Sequence, residues 1–289
     1  MSDIKKWFAY AVFIMAVLIF LVYYLFPSEF VERYIIFKAG QFNPNLKVSI
    51  GRVFPTFPPG LRFDTISLEY LDALVLDAEE IRVVPRLASF FGPKWTIRFN
   101  LKAHGGILNG RAEIIAKNDD RQFDIKAKIF GMQLADIPAV RNLTAFKLSG
   151  VLRADIIYKN AQEIDNPIRA SVEILNCELQ PLKPLSIKDR LTFKQIEAVL
   201  NIRNYRIDIE HCNFKGNQVD GTVSGFGVLK DPFNKSIIEL SGILNPHHLF
   251  FKHLSGDLQA SIFNDIKSKI GDVSISIKGP IENPAFNFH

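Results

Sequence analysis

The chain is poor in reactive chemistry. Of its 289 residues only two are cysteine and six are histidine. It contains no G-x-S-x-G nucleophile elbow, no G-x-x-x-x-G-K-[ST] phosphate loop and no H-E-x-x-H zinc helix. Without a recognisable nucleophile, acid and base, the sequence is not expected to be an enzyme. No catalytic, cofactor-binding or metal-binding residue is expected, and no cofactor. It also lacks a block of like charge. Its 35 Lys and Arg and 30 Asp and Glu are scattered and leave a net charge of +5. That excludes the basic stripe a nucleic acid partner would need.

The few polar clusters have bland readings. His247, His248 and His253, with Asp257, carry metal-ligand chemistry. Two adjacent histidines seldom chelate one ion, so a polar helix start after Asn245-Pro246 is the expectation. The carboxylate pairs Glu79-Glu80 and Asp119-Asp120 read as solvated strand ends or loops. The glycine-rich stretch Gly221–Gly227 keeps strand alternation and so is not expected to hold phosphate. Cys177 and Cys212 leave two readings open. A disulfide closing a loop of about 35 residues would contribute ~3–4 kcal/mol; the alternative is two separate buried thiols.

What the chain does have is one long apolar run. Residues 7–26, WFAYAVFIMAVLIFLVYYLF, contain no charge, proline or glycine and follow Lys5 and Lys6. About 20 such residues span the ~30 Å hydrocarbon core of a bilayer as a helix. A cleaved signal peptide would have a shorter apolar centre and small residues at its end. Here the run ends Tyr-Tyr-Leu-Phe-Pro-Ser-Glu. A core helix would rarely be apolar all round. The run is therefore expected to be a membrane anchor, with Trp7, Tyr10, Tyr23 and Tyr24 in the two aromatic belts. Lys5 and Lys6 on one flank, against Glu29 and Glu32 with Arg33 on the other, predict a cytoplasmic N-terminus. In a bacterium the body would then be periplasmic.

Beyond the anchor, residues 27–60 read as helix and linker and residues 61–289 as a β-rich domain. Ser28 can cap a helix SEFVERYIIFKAG in which Phe30, Val31, Tyr34 and Ile35 share a face. It could pack on the domain or lie on the membrane. Pro55, Pro58, Pro59 and Gly60 predict a rigid turn. Further on the period is two. Phe123, Ile125 and Ala127 alternate with Asp124 and Lys126; Ile207 and Ile209 with Asp208 and Glu210; Val273, Ile275 and Ile277 with Ser274 and Ser276. This predicts about a dozen antiparallel strands, wet on one face. Turns are expected at Gly105-Gly106, Asn109-Gly110, Asn118-Asp120, Asn204-Tyr205 and Lys215-Asn217, and short helices near Leu134–Asn142, Ile187–Leu191 and Pro246–Leu254. The stretches 106–117 and 150–159 echo each other, as do Gly227–Pro232 and Gly279–Pro284. Repeated strand–turn units build an elongated sheet.

Three short motifs carry a resemblance: Phe26-Pro-Ser-Glu29, Ser49-Ile-Gly-Arg-Val53 and Pro58-Pro-Gly-Leu61. With the anchor before them, they resemble type II secretion system protein N (GspN) of Gram-negative bacteria. The later strands and the Gly279–Pro284 element resemble the wider AsmA-like group. The resemblance implies a mainly β fold: one transmembrane helix, then an elongated, curved antiparallel sheet with a few short helices. It implies, as the first expectation, a non-catalytic structural or accessory component of the type II secretion system: a single-pass protein of the bacterial inner membrane, with its main domain in the periplasm and other secretion-system proteins as partners. The AsmA-like side implies instead a lipid-binding or lipid-transfer module with phospholipid in an apolar groove. The phenylalanines Phe214, Phe226, Phe233, Phe250 and Phe251 fit either a groove or a packed core.

Overall fold

A computed structural model describes residues 2–42, 44–70, 73–117, 120–143, 146–160, 168–181, 190–230, 235–247 and 272–288. Two helices lead, α1 (Ser2–Tyr24) and α2 (Ser28–Phe42). Fifteen strands follow: β1 (Leu46–Ile50), β2 (Val53–Thr56), β3 (Gly60–Tyr70), β4 (Ala73–Pro85), β5 (Lys94–Ala103), β6 (Gly106–Lys117), β7 (Asp120–Gln133) and β8 (Phe146–Lys159), then β9 (Ile168–Pro181), β10 (Leu191–Arg203), β11 (Arg206–Gly216), β12 (Val219–Val228), β13 (Ile237–Pro246), β14 (Val273–Pro280) and β15 (Ala285–Phe288). Leu87–Phe91 and Leu134–Asp136 form 3-10 turns, and Pro138–Arg141 is a short helix, α3. The fold is mainly β, as expected.

All strands belong to one antiparallel sheet, and from β3 to β15 each pairs with the next in sequence. The sheet begins at Leu46, inside the segment read as helix and linker. β1 pairs with Ile66–Tyr70 and β2 with Gly60–Phe63, so the two share β3 as one broken edge strand. Pro55 is tolerated within β2 because an edge strand can leave one side of its backbone unpaired.

Local chemistry explains the hairpins. His104 (φ 48) and Gly105 (φ 73) form a two-residue turn with two positive φ angles, the geometry that matches strand twist. Asn109-Gly110, expected to turn, lies instead within β6. There the Phe99 ring of β5 covers Gly110, and a Cβ at that position would collide with it. The turn signal loses because the chain has already reversed at Gly105. Asn204, with φ 48, turns β10 into β11 as expected. The helical expectation for 134–142 is met by the 3-10 turn and α3. Of the other two helical expectations, Leu191 opens β10 and Pro246 ends β13, while 187–189 and 248–254 lie outside the described residues, as do Asn118 and Asp119.

The strict alternation slips at bulges. In β11, Ile209 and Cys212 both face inward because the pairing with β12 shifts between them. In β7 the slip falls between Ile129 and Met132, with Gly131 at φ 71. In β9 it falls at Asn176, whose φ of 50 costs of order 1 kcal/mol. A one-residue slip would otherwise throw the rest of each strand to the opposite face. The bulge absorbs the extra residue, keeps the apolar set on one side and bends the strand.

The sheet coils around that side. α3 packs against both β8 and β4, four strands apart. Tyr70, ending β3, stacks on Tyr205 in the β10–β11 turn with ring centroids 6.4 Å apart. Tyr70 Oη also donates to the Asn204 carbonyl at 3.5 Å. A flat sheet would hold these residues tens of Å apart, at ~4.8 Å per strand. Two core clusters anchor the ends. Val53, Phe63, Ala78, Ile81, Ala103 and Met132 form one, capped by Phe26, Val31 and Ile35 of the α2 region and by Ile137. Leu191, Val219, Leu244, Val273 and Ile275 form the other.

Candidate functional site

The inner face between the two clusters is the candidate site. Strand register lines its side chains up in ranks. One rank runs Leu101, Leu108, Ile129, Ala154, Val172, Ala198, Cys212, Val223, Gly242, Ile275, each opposite the next from β5 to β14. The rank beside it runs Phe99, Gly110, Ala127, Ile156, Ala170, Leu200, Ile209, Gly225, Leu240, Ile277, Phe286, reaching β15. Neither contains a charged residue or a side-chain oxygen or nitrogen. At ~4.8 Å per strand each rank follows an arc of about 45 Å. One bilayer leaflet has a hydrocarbon depth of about 15 Å, half of ~30 Å. In the first rank, Leu101 and Ile129 at one end and Val223 and Ile275 at the other belong to or pack on the two clusters, so the stretch between them, Ala154 to Cys212, is about 15 Å, comparable to one leaflet.

This floor is only partly covered. Ile156, Val172, Ile174, Ile196, Ala198, Leu200, Ile207 and Ile209 are half-buried rather than buried. Among the described helices, α2 packs on β1 and β2 and α3 on β4 and β8. The middle and far strands receive no comparable layer from the described residues. Small side chains widen the space: Ala112, Ala127, Ala154, Ala170 and Ala198 recur along the floor. An apolar face of this extent, backed by a polar one, marks a site for an apolar ligand or partner.

The outer face is the opposite in character. Cross-strand ion pairs tie it together: Lys128–Asp155 at 2.8 Å, Arg153–Glu173 at 3.6 Å and Arg169–Glu210 at 3.2 Å. Glu80 belongs to this lattice. Its hydrogen bond from Lys102, 2.7 Å long, and the charge of that ammonium hold its carboxyl below the usual range, despite partial desolvation. The Glu79-Glu80 pair is therefore split, Glu80 being an ion-pair partner across β4 and β5. Exposed pairs of this kind add little to stability and mainly keep the face wet.

The residues singled out in the sequence fall in different places. His247 is held by Asp220 (Nε2–Oδ2 3.3 Å) and by the Asn217 carbonyl (3.1 Å) at the β11–β12 turn. His248, His253, Asp257 and Asp119 lie outside the described residues, and among the described residues no group of three metal-ligating side chains occurs. Phe214 faces inward and meets Phe193 edge to face at 5.5 Å. Phe226 does not: it is on the outer face beneath the Arg206 guanidinium, 3.9 Å from the ring centroid. Phe233, Phe250 and Phe251 lie outside the described residues. Ala127 apart, the alanines of the floor carry no signal in the sequence, since only register places Ala154 and Ala198 in one rank and Ala127 and Ala170 in the next.

Cys177 and Cys212 are free thiols on β9 and β11. They face Phe193 and Ala198 of β10, which lies between them. Two strand spacings, ~9.6 Å, exceed the ~7 Å Cα limit for a disulfide. Burial pushes the Cys177 thiol up to about 11, with Glu178 adding to the shift, and burial also raises Cys212. Both are neutral at pH 8, since a raised thiol pKa delays the thiolate to higher pH. Alkylation at pH 8 is therefore expected to lag in the native protein and to reach two adducts on denaturation, with or without reductant. Intact mass checks this, and adducts that appear only after reduction would overturn it.

No protein-family model, curated protein or solved structure matches this chain. The GspN and AsmA-like resemblance therefore rests on the short motifs. The first three fall at one corner of the fold: the α1–α2 junction, the β1–β2 break and the β2–β3 turn.

Proposed function

We propose that this protein is a membrane-anchored lipid-binding module. α1 contains a 20-residue span, Lys5–Tyr24, whose most apolar 18 residues have a mean hydropathy of 2.2 and none of them buried, long and apolar enough to cross a bilayer. In this reading it holds the coiled sheet at the bacterial inner membrane, with the N-terminus cytoplasmic and the sheet periplasmic. The sheet binds phospholipid by its acyl chains along the inner face. The observation that carries the reading is the pair of apolar ranks from β5 to β14 and β15, uncharged throughout and only partly covered. Binding there needs no catalytic group and no cofactor. A bound chain would replace water over the half-exposed floor, at about 25 cal/mol per Å² of apolar surface covered. A single acyl chain offers too little polar surface to impose lipid specificity, so the trough suits a class of lipids rather than one.

Membership of the type II secretion machinery rests on the resemblance alone. The two readings separate in native mass spectrometry of the detergent-solubilised full chain. Phospholipid adducts that survive dilution are the expected result. A folded sample free of lipid that retains a secretion subunit would overturn the lipid reading.

A further inference from the structure

α2 carries two apolar stripes whose centres lie about 130° apart, and only one of them is used by the sheet. Val31 and Ile35 pack into the Phe63 cluster, and Ala39 follows on the same side. At 100° per residue, Phe30, Tyr34 and Phe37 fall within roughly 60° of one another, on a stripe centred about 130° from that of Val31, Ile35 and Ala39. They are 71%, 54% and 60% exposed. Arg33 and Lys38 flank the aromatic stripe, one on each border. Both are exposed; Arg33 is 3.5 Å from Glu29, and the Lys38 ammonium lies 6.0 Å from the Phe37 ring centroid. A helix that served only the sheet would need one stripe.

The chain itself says what covers the second. Only Leu25, Phe26 and Pro27 separate α2 from the end of α1. Three residues reach at most about 10 Å. Tyr23 and Tyr24 occupy the last turn of α1, where an aromatic belt is expected. Proline at 27 stops α1 from continuing and lets α2 leave at a new angle. The start of α2 is therefore within the headgroup layer, and its stripe of three aromatic rings bordered by cations has the composition of a helix lying in that layer.

We propose that α2 lies in the outer interface of the bilayer. Phe30, Tyr34 and Phe37 embed among the headgroups and upper acyl chains, Arg33 and Lys38 face lipid phosphates, and Val31 and Ile35 clamp the sheet from above. α2 is then a pedestal: it fixes the β1–β2 edge beside the membrane surface instead of leaving the sheet on a swinging tether. The inference rests on α1 spanning the bilayer and is independent of what the trough holds.

The test uses the full chain, one copy per nanodisc of phosphatidylethanolamine and phosphatidylglycerol. Phe30, Tyr34 and Phe37 are replaced one at a time by photoreactive p-benzoylphenylalanine. The same is done at Val17 in α1, at Ala198 in the trough and at Ile243, exposed on the outer face. Illumination followed by mass spectrometry reads covalent lipid. The expected result is lipid adducts at 17, 30, 34 and 37 and at least tenfold less at 243. Lipid at 17 with none at 30, 34 and 37 overturns the pedestal and leaves the anchor standing. No lipid at 17 overturns both. Position 198 reports the trough separately, so its failure touches the proposed function alone.

Discussion

Ala198→Trp is expected to reduce lipid retention at least tenfold while leaving the fold intact. Ala198 lies in mid-rank on β10, with Val172 on one side and Cys212 on the other. Its side chain points into the trough and is half-buried. A tryptophan there occupies the volume an acyl chain would take and adds no charge. The stability of the same variant discriminates between a trough and a filled core. Overpacking a filled core costs typically 1–3 kcal/mol. For a domain of this size each kcal/mol lowers Tm by roughly 2–4 °C. In an open trough the added ring meets no opposing wall, and Tm stays within about 2 °C. Val199→Trp, one residue along on the outer face, is the matched control and should change neither property. Bound phospholipid per chain by native mass spectrometry, together with thermal circular dichroism, measures both. A large loss of Tm with unchanged lipid would mean that position 198 belongs to a packed core.

Phe63→Ala is expected to have the largest effect on stability, about 3–5 kcal/mol. Phe63 is 3% exposed, opposes Val53 and Ile81, and belongs to the cluster that Val31 and Ile35 of α2 cap. Its removal leaves a cavity walled by two strands and a helix, which cannot all collapse into it. Phe123→Ala is the informative comparison. Phe123 is also on the inner face, opposite Ile114, but is 37% exposed. Roughly two thirds of its surface is withdrawn from water, against nearly all of Phe63's, so its loss should cost less, about 1–2 kcal/mol. Urea unfolding of the two variants under identical detergent conditions gives the ratio. Equal costs would show that the inner face is as well packed at β7 as at β3, and the trough would fail with that result.

Some of this was legible in the residues. Residues 7–24 of the apolar run lie in α1, with Leu25 and Phe26 just beyond its end; the helix is long and apolar enough to cross a membrane, a property of length and absence of charge that the sequence shows directly. Gln122–Lys128, Arg206–Glu210 and Asp272–Lys278 fall in or at the edges of β7, β11 and β14, because alternation is local. The two halves of β11 could not be read together. Alternation from Ile207 and Ile209 would put Cys212 on the wet face; the bulge before it decides otherwise. Asn109-Gly110 misled because a turn signal says where the chain can reverse, and Gly110 serves a different need, room for the Phe99 ring. Phe226 misled because alternation cannot say which face a Gly-rich strand presents; pairing with Asp208 and Glu239 places it outside.

The candidate site was less legible than the fold. Ala127, Ala154, Ala170 and Ala198 are separated by many residues, and nothing in their own segments marks them as neighbours. Hydrogen-bond register between strands brings them together, and register is fixed by turns and bulges acting at a distance. The spacing of Phe30, Val31, Tyr34 and Ile35 read as one apolar face of α2, of which the sheet takes only Val31 and Ile35. Which of them meet the sheet required the position of Phe63. By itself, then, the sequence determined an apolar helix and a succession of strands wet on one side, because both depend on periods shorter than a single element. Only the tertiary structure decided that the dry sides form one continuous, partly uncovered trough, because that depends on how fifteen strands align and coil, and no local pattern encodes it.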